Sequence, residues 1–197
     1  CALAEWKYGA GKGCNHLAFL TFGTGLGAGL VLNGQLFRGA SALAGEIGAI
    51  RIAEDGPPLR DKPGCLEGYA SGAGIAALAA IRRQTWQGKT SLPQQANARD
   101  VAAAAMQGDA FAKSLLAESG DALGRGLAIL IDLLNLERIV IGSIFVRCEQ
   151  LLRPAMEAAL KRDAMAATLR DCQIVPAALG EQIGDYAALA LAAGDEH

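Results

Sequence analysis

Between Thr21 and Gly29 glycine stands at every second position, 23, 25, 27 and 29, with Thr24 set among them. The run just before it, Leu17-Ala-Phe-Leu-Thr-Phe22, is apolar, aromatic and branched, the pattern of a buried strand. After it come Leu30-Val-Leu32, an Asn33-Gly34 step and Gln35-Leu-Phe37, which predict a hairpin closed by a type I′ turn. The glycines therefore lead back into a strand. A Rossmann fingerprint needs the glycines to open a helix whose N-terminus holds a pyrophosphate, so this context argues against it. Gly88-Lys89-Thr90 matches the end of a Walker A loop, but Arg83 stands where its first glycine belongs. What remains is a Thr/Gly loop between strands, whose backbone N–H groups and Thr24 hydroxyl suit a phosphate, or a glycine-rich hairpin with no ligand.

The chain has 197 residues, 18 Lys+Arg against 20 Asp+Glu, and 52% hydrophobic residues. A length of this order buries roughly 70% of the unfolded surface, so folding needs neither disulfides nor metal. Charge near balance, without a Lys/Arg run, argues against nucleic acid and anionic membranes as partners. No stretch approaches the roughly 18 apolar residues of a membrane span. The five cysteines, Cys1, Cys14, Cys65, Cys148 and Cys172, are scattered without a CxxC pair, which is cytosolic usage. With His16 and His197 as the only histidines, a Ser/His/Asp triad or a histidine zinc cage is not expected. The start at Cys1, inside a helical run, suggests a fragment.

Further elements alternate. Ala2 to Tyr8 reads as a helix stopped by a glycine cluster, Gly9, Gly11 and Gly13, where left-handed conformations are expected. Ala53 to Gly64, with three prolines, is a loop, and Leu66 to Arg83 a helix loosened around Ser71 to Gly74. Asn97 or Asp100 caps a helix through Val101-Ala105. A long helix runs from Asp109 to about Asn135, with one apolar stripe. Arg138 to Gly142 is a strand, Cys148 to Leu160 a helix, Gln173 to Val175 a strand and Ile183 to Ala193 a closing helix. The expected fold class is α/β, a mixed sheet flanked by helices.

Several spaced motifs occur in order: Thr21 to Gly34, Phe37-Arg-Gly-Ala40, Ala44-Gly-Glu-Ile-Gly48, Gly64-Cys-Leu-Glu-Gly-Tyr-Ala-Ser-Gly72 and Leu134 to Gly142. Together they resemble the ROK family of bacterial sugar kinases and sugar-responsive repressors, over nearly the whole chain. The resemblance implies a ribonuclease-H-like lobe of the actin/hexokinase-type ATPase fold, with residues 1–197 forming a single C-terminal lobe of a two-lobed protein. It implies ATP and Mg2+ as cofactors, a hexose or N-acetylhexosamine as substrate, a homodimer or homotetramer, and a cytoplasmic location. Gly23, Thr24, Gly25, Gly27 and Gly29 are then the ATP-side phosphate loop, and Gly142-Ser143 the nucleotide-side turn. Gly45, Glu46 and Glu67 are on the sugar side, where a carboxylate offers several strong acceptor sites to hydroxyls. The alternative reading of Glu46 is a cap or turn residue, and of Glu67 a first-turn dipole partner.

Two departures qualify the resemblance. Family kinases place a histidine at Ala49 and zinc-ligating cysteines at Pro58, Arg60 and Cys65; only Cys65 is a cysteine here, so no zinc is expected. The Asp-x-Gly-Gly-Thr loop and the Asn-Asp motif that carries the catalytic Asp are also missing, and that Asp is expected upstream of Cys1. The 197 residues alone are therefore expected to be inactive. The alternatives are the sugar-sensing region of a ROK repressor, with a helix-turn-helix elsewhere in the protein, and a sugar-binding pseudokinase.

Overall fold

Apolar alternation and turn chemistry set the strands. The computed structural model describes residues 1–59 and 62–192. Its elements are α1 (Ala2–Tyr8), β1 (Leu17–Phe22), β2 (Leu26–Leu32), β3 (Gln35–Phe37), α2 (Leu66–Tyr69), α3 (Gly72–Arg83), α4 (Ala98–Met106) and α5 (Ala110–Leu134). β4 (Arg138–Ile141), α6 (Ile144–Asp163), α7 (Ala166–Asp171), β5 (Gln173–Pro176) and α8 (Ile183–Ala192) complete the order. Ala193, the expected last residue of the closing helix, lies outside the described residues.

The five strands form one mixed sheet in the order β3-β2-β1-β4-β5. β1, β2 and β3 run antiparallel as successive hairpins, while β4 lies parallel to β1 and β5 parallel to β4. Asn33 and Gly34 both take positive φ, 53° and 69°, as a type I′ turn requires. Because side chains alternate across a strand, Ala18, Leu20 and Phe22 enter the main core with α3, α5 and α6. Leu17 and Phe19 point the other way and join Ala2, Cys14, Val31 and Val140, against which Trp6 and Ile183 pack. The sheet is thus covered on both faces, with α1 and α8 on the smaller side.

Local signals define most helix ends. Asn97 and Asp100 form a reciprocal capping box on α4, and Ser71 accepts the Gly74 N–H at 2.9 Å where α2 breaks from α3. Asn135 ends α5 in the left-handed conformation, φ 46°. Gly9 closes α1 differently from expectation: its φ is −111°, and a side chain there would collide with the Glu5 carboxylate. α6 begins at Ile144, four residues before the expected Cys148, because Ser143 turns the chain at φ 54°; Cys148 is instead a kink inside the helix, with φ −122° and ψ 15°. α7 is a further short helix that the sequence pattern does not announce. α5 and α6 cross closely, since Gly120 and Gly124 lie directly against the Leu152 and Met156 carbonyl oxygens.

Asp109 caps α5 and also holds the preceding loop. Partial burial disfavours its charge, but hydrogen bonds from Ala112 N–H, Ser91 N–H, Ser91 Oγ and Thr90 Oγ1 outweigh that and pull the carboxyl down to about 2. A depressed carboxylate stabilises the fold above the unfolded value near 4 and loses that contribution as pH falls through about 2. Acidification from pH 4 to 2 should therefore lower the urea midpoint of the native chain more than that of Asp109→Asn, which keeps a capping oxygen but no charge. Equal acid slopes would show that these bonds do not favour the ionised form.

Candidate functional site

β1 and β2 close at the Phe22–Leu26 pair, leaving Gly23, Thr24 and Gly25 as the connecting turn. The Gly23 N–H donates to Gly25 O at 3.0 Å, and the first N–H groups of α3 seize the outer carbonyls: Gly72 N–H to Gly23 O at 2.7 Å and Ala73 N–H to Thr24 O at 3.1 Å. The turn is thereby bolted to the start of α3. No hydrogen bond among the described residues takes up the N–H groups of Thr24 and Gly25, and Thr24 is exposed. Ser143, exposed at the head of α6, has its Oγ 3.8 Å from the position a Gly23 side chain would begin to fill. Gly142 is buried and extends the sheet by donating to Leu20 O at 2.9 Å. Gly23, Thr24, Gly25, Gly142 and Ser143 therefore form one neighbourhood.

Gly27 and Gly29 stand apart from that turn. They lie in β2, opposite Thr21 and Phe19 of β1, and share with them a cleft of about 340 Å³ that Gly45 and Glu46 also line. At Gly29 the missing side chain makes way for α1, since a Cβ would come 2.6 Å from that of Ala2; at Gly27 the space is open. Gly45, at φ 97°, is pressed onto Ala28 and accepts its N–H at 2.7 Å, leaving no room for a side chain. Glu46 follows at the start of a 3₁₀ turn, Ile47–Ala49, is exposed, and makes no side-chain capping bond to it.

Glu67 ties these two parts together. It sits in the first turn of α2, only 9% exposed, and its Oε2 accepts the Leu26 N–H at 2.8 Å. Gly25 is glycine because a Cβ would lie 2.9 Å from that oxygen. One carboxylate oxygen thus braces the hairpin from beneath. Sequence reasoning missed Thr21, which the period-two alternation of β1 places on the cleft face, and the Ser71-Gly72 helix start, whose capping pattern was the available signal.

The loop between Glu46 and Glu67 is ordered by hydrogen bonds. Arg51 donates Nε to Ala53 O at 3.0 Å and also engages Glu54 O, while Ile52 and Ala53 N–H groups both donate to Gly64 O. The buried Cys65 thiol donates to Leu59 O at 3.4 Å, and the Tyr69 hydroxyl to Asp55 O at 2.7 Å. Burial, reinforced by Glu118 and Asp55, pushes the Tyr69 hydroxyl up, which keeps it a donor. Zinc does not fit this loop: Ala49 and Pro58 have no ligating group and Cys65 is spent on a carbonyl. Arg60 lies outside the described residues, and among those described no three His, Cys, Asp or Glu side chains gather as a metal site. Tyr69→Phe should cost about 1 kcal/mol in urea unfolding, the net value of one buried hydrogen bond; an unchanged midpoint would remove the hydroxyl from this account.

A family model described as ROK family matches residues 1–195. The chain belongs to the ROK family. A glucokinase of Halalkalibacterium halodurans is 40% identical over 148 residues, covering 72% of this chain and 45% of the relative. The DNA-binding transcriptional dual regulator NagC of Escherichia coli is 30% identical over 194 residues, covering 94% of this chain and 47% of the regulator. The chain spans about half the length of the curated relatives it matches. Among solved structures, a ROK glucokinase of Streptomyces griseus in complex with glucose and AMPPNP has a TM-score of 0.81 at 29% identity, covering 96% of this chain and 64% of that one. The mixed sheet flanked by helices is accordingly that of the actin/hexokinase-type ATPase fold. Among the described residues no helix is long and apolar enough to cross a membrane.

Proposed function

We propose that these residues are the C-terminal lobe of an ATP-dependent hexose or N-acetylhexosamine kinase of the cytoplasm, assembled as a homodimer or homotetramer. The observation that carries the reading is the Gly23-Thr24-Gly25 turn. It offers two N–H groups and a hydroxyl to solvent, and Glu67 braces it within one β-ladder of the cleft that holds Glu46. Such donors hold phosphate oxygens without reorganisation, because α3 fixes the turn beforehand. Bound ATP with Mg2+ would supply the transferable phosphoryl group and offset its charge.

In this reading Gly23, Thr24 and Gly25 hold the phosphates, and Gly142 and Ser143 border the nucleotide. Gly27 and Gly29 keep the strand surface flat beside the sugar. Gly45 fixes the approach of Glu46, which accepts a sugar hydroxyl; Glu67 adds a second carboxylate at the edge. The general base, an aspartate that takes the hydroxyl proton as it attacks, is supplied from outside these 197 residues, so the isolated lobe does not turn over. The full-length protein given ATP, Mg2+ and a panel of hexoses and N-acetylhexosamines should release ADP; silence on every sugar would overturn the kinase. Glu46→Gln should weaken sugar binding by about 1–3 kcal/mol, as expected for a hydrogen bond to a charged group. Unchanged affinity would remove Glu46 from the sugar site.

A second reading, the sugar-sensing region of a repressor, is favoured by the NagC match, which covers 94% of this chain against 72% for the glucokinase. It predicts sugar-dependent release of operator DNA and no ADP.

A further inference from the structure

Glu5, in α1, is a fully buried ionisable group with no part in the chemistry proposed above. Its Oε2 accepts Ala10 N–H at 2.8 Å and Ala178 N–H at 3.2 Å, and its Oε1 accepts Leu179 N–H at 2.9 Å. A carboxylate is among the most costly side chains to bury, so the segments it joins call for a reason. Both of them lead to the cleft that holds Glu46. Cys1, Ala2 and Leu3 at the start of α1 line that cleft, and so do Ala187 and Leu191 of α8. α1 is wedged in place, since a Cβ on Gly29 would lie 2.6 Å from that of Ala2. α8 is held by far less. Of its residues only Ala190 is buried, while Leu189 and Leu191 are 53% and 63% exposed. Ile183 packs on the smaller core cluster, the Tyr186 ring lies 5.4 Å from that of Tyr8, and the two Glu5 bonds grip the chain just ahead of the helix. An element with so little buried apolar surface opens at low cost, so each tie weighs heavily on where it sits.

We propose that Glu5 is a positioning residue for this cleft. Its carboxylate holds the segment entering α8 against α1, and so fixes Ala187 and Leu191 as a wall of the space beside Glu46. Glu5 itself touches no ligand and acts through α8. A wall set before the ligand arrives spares binding the cost of ordering it, and the gain appears as affinity. By reciprocity, a ligand in the cleft steadies α8 in return. The inference rests on the reading of this cleft as the sugar site, which the kinase and the repressor readings share. The Gly23 to Gly25 turn is anchored instead by α3 and Glu67, so nucleotide binding is independent of Glu5.

Titrations of the full-length protein with the panel of hexoses and N-acetylhexosamines, and with ADP, test it. Glu5→Gln should bind the preferred sugar about tenfold more weakly and ADP as the wild type does. Tyr186→Ala removes the ring contact without touching the buried carboxylate, and should weaken sugar about threefold. Gly124→Ala is the control for lost stability: it parts α5 from α6 on the other face of the sheet, and should leave sugar affinity unchanged. In the wild type, saturating sugar should also slow hydrogen exchange across α8. Wild-type sugar affinity in Glu5→Gln, an equal loss in Gly124→Ala, a matching loss for ADP, or no protection of α8 would each overturn the positioning role. If Glu5→Gln does not fold, Tyr186→Ala decides, and unchanged sugar affinity there overturns the proposal. A wild type that binds no sugar of the panel would overturn the sugar site and this inference together. One that binds sugar but not ADP would overturn the kinase reading alone, and the sugar arm would still judge Glu5.

Discussion

Gly124→Ala should lower the stability of the chain by about 2–4 kcal/mol, although helix propensity alone favours alanine by about 1 kcal/mol. Gly124 lies inside α5, where its missing side chain lets α6 come within contact of the backbone: an added Cβ would strike the Met156 carbonyl oxygen and lie 2.7 Å from the Ala159 Cβ. A carbonyl within a packed helix cannot swing away as the end of a side chain can, so the helices must part, and the core between them, including Leu127, Leu152 and Met156, loses contact. Gly184 provides the control. It is exposed at the start of α8 with nothing near its absent side chain, so Gly184→Ala should stabilise by up to about 1 kcal/mol. Opposite signs in urea unfolding are the expected result. A gain at both positions would mean that the α5–α6 approach is not limiting.

Glu5→Ala is expected to cost about 3–5 kcal/mol, because it strips the acceptor from three partly buried donors at once. The Glu5 side chain is fully buried in α1. Its Oε2 accepts Ala10 N–H at 2.8 Å and Ala178 N–H at 3.2 Å, and its Oε1 accepts Leu179 N–H at 2.9 Å. The same carboxylate therefore closes the turn after α1 and holds the segment between β5 and α8. Glu5→Gln keeps one acceptor oxygen but sets an amide donor against the remaining N–H groups, and should cost about half as much. Hydrogen exchange at Leu179 should accelerate in both variants. A loss below about 1 kcal/mol in Glu5→Ala would show that water replaces the carboxylate.

Elements governed by neighbours in sequence are legible in the sequence itself. The Asn33-Gly34 turn, the Asn97 and Asp109 caps and the Asn135 terminus each depend on a few adjacent residues, and each stands where local chemistry puts it. β2 is a different case. Gly27 and Gly29 have poor strand propensity, so composition alone begins the strand at Leu30; pairing with Thr21 and Phe19 across the ladder overrides that preference. The start of α6 lies ahead of the expected one because a non-glycine residue, Ser143, takes a positive φ that no propensity scale anticipates. At the site, glycine identity is visible in the sequence but its reasons are not. Gly25 clears Glu67, Gly29 clears Ala2 and Gly27 faces open space, distinctions that exist only once residues far apart in the chain meet. Glu5 is hidden for the same cause: its partners Ala178 and Leu179 lie more than 170 positions away.

The strand order has a consequence for how the chain reaches its fold. β1, β2 and β3 are joined by short turns and can zip together as soon as they are made, on the microsecond scale of hairpins. The other edge of β1 must wait for β4, about 120 residues further along, and β5 can add only after that. At ribosomal speeds of about 5–20 residues per second, that edge stays open for several seconds or longer. During this interval Leu17, Phe19 and Leu20 sit beside unpaired backbone groups, the arrangement most prone to joining a neighbouring chain. Yield from rapid overexpression should therefore depend on how quickly α5 is synthesised and can shelter the hairpin's apolar face, more than on the final stability of the sheet.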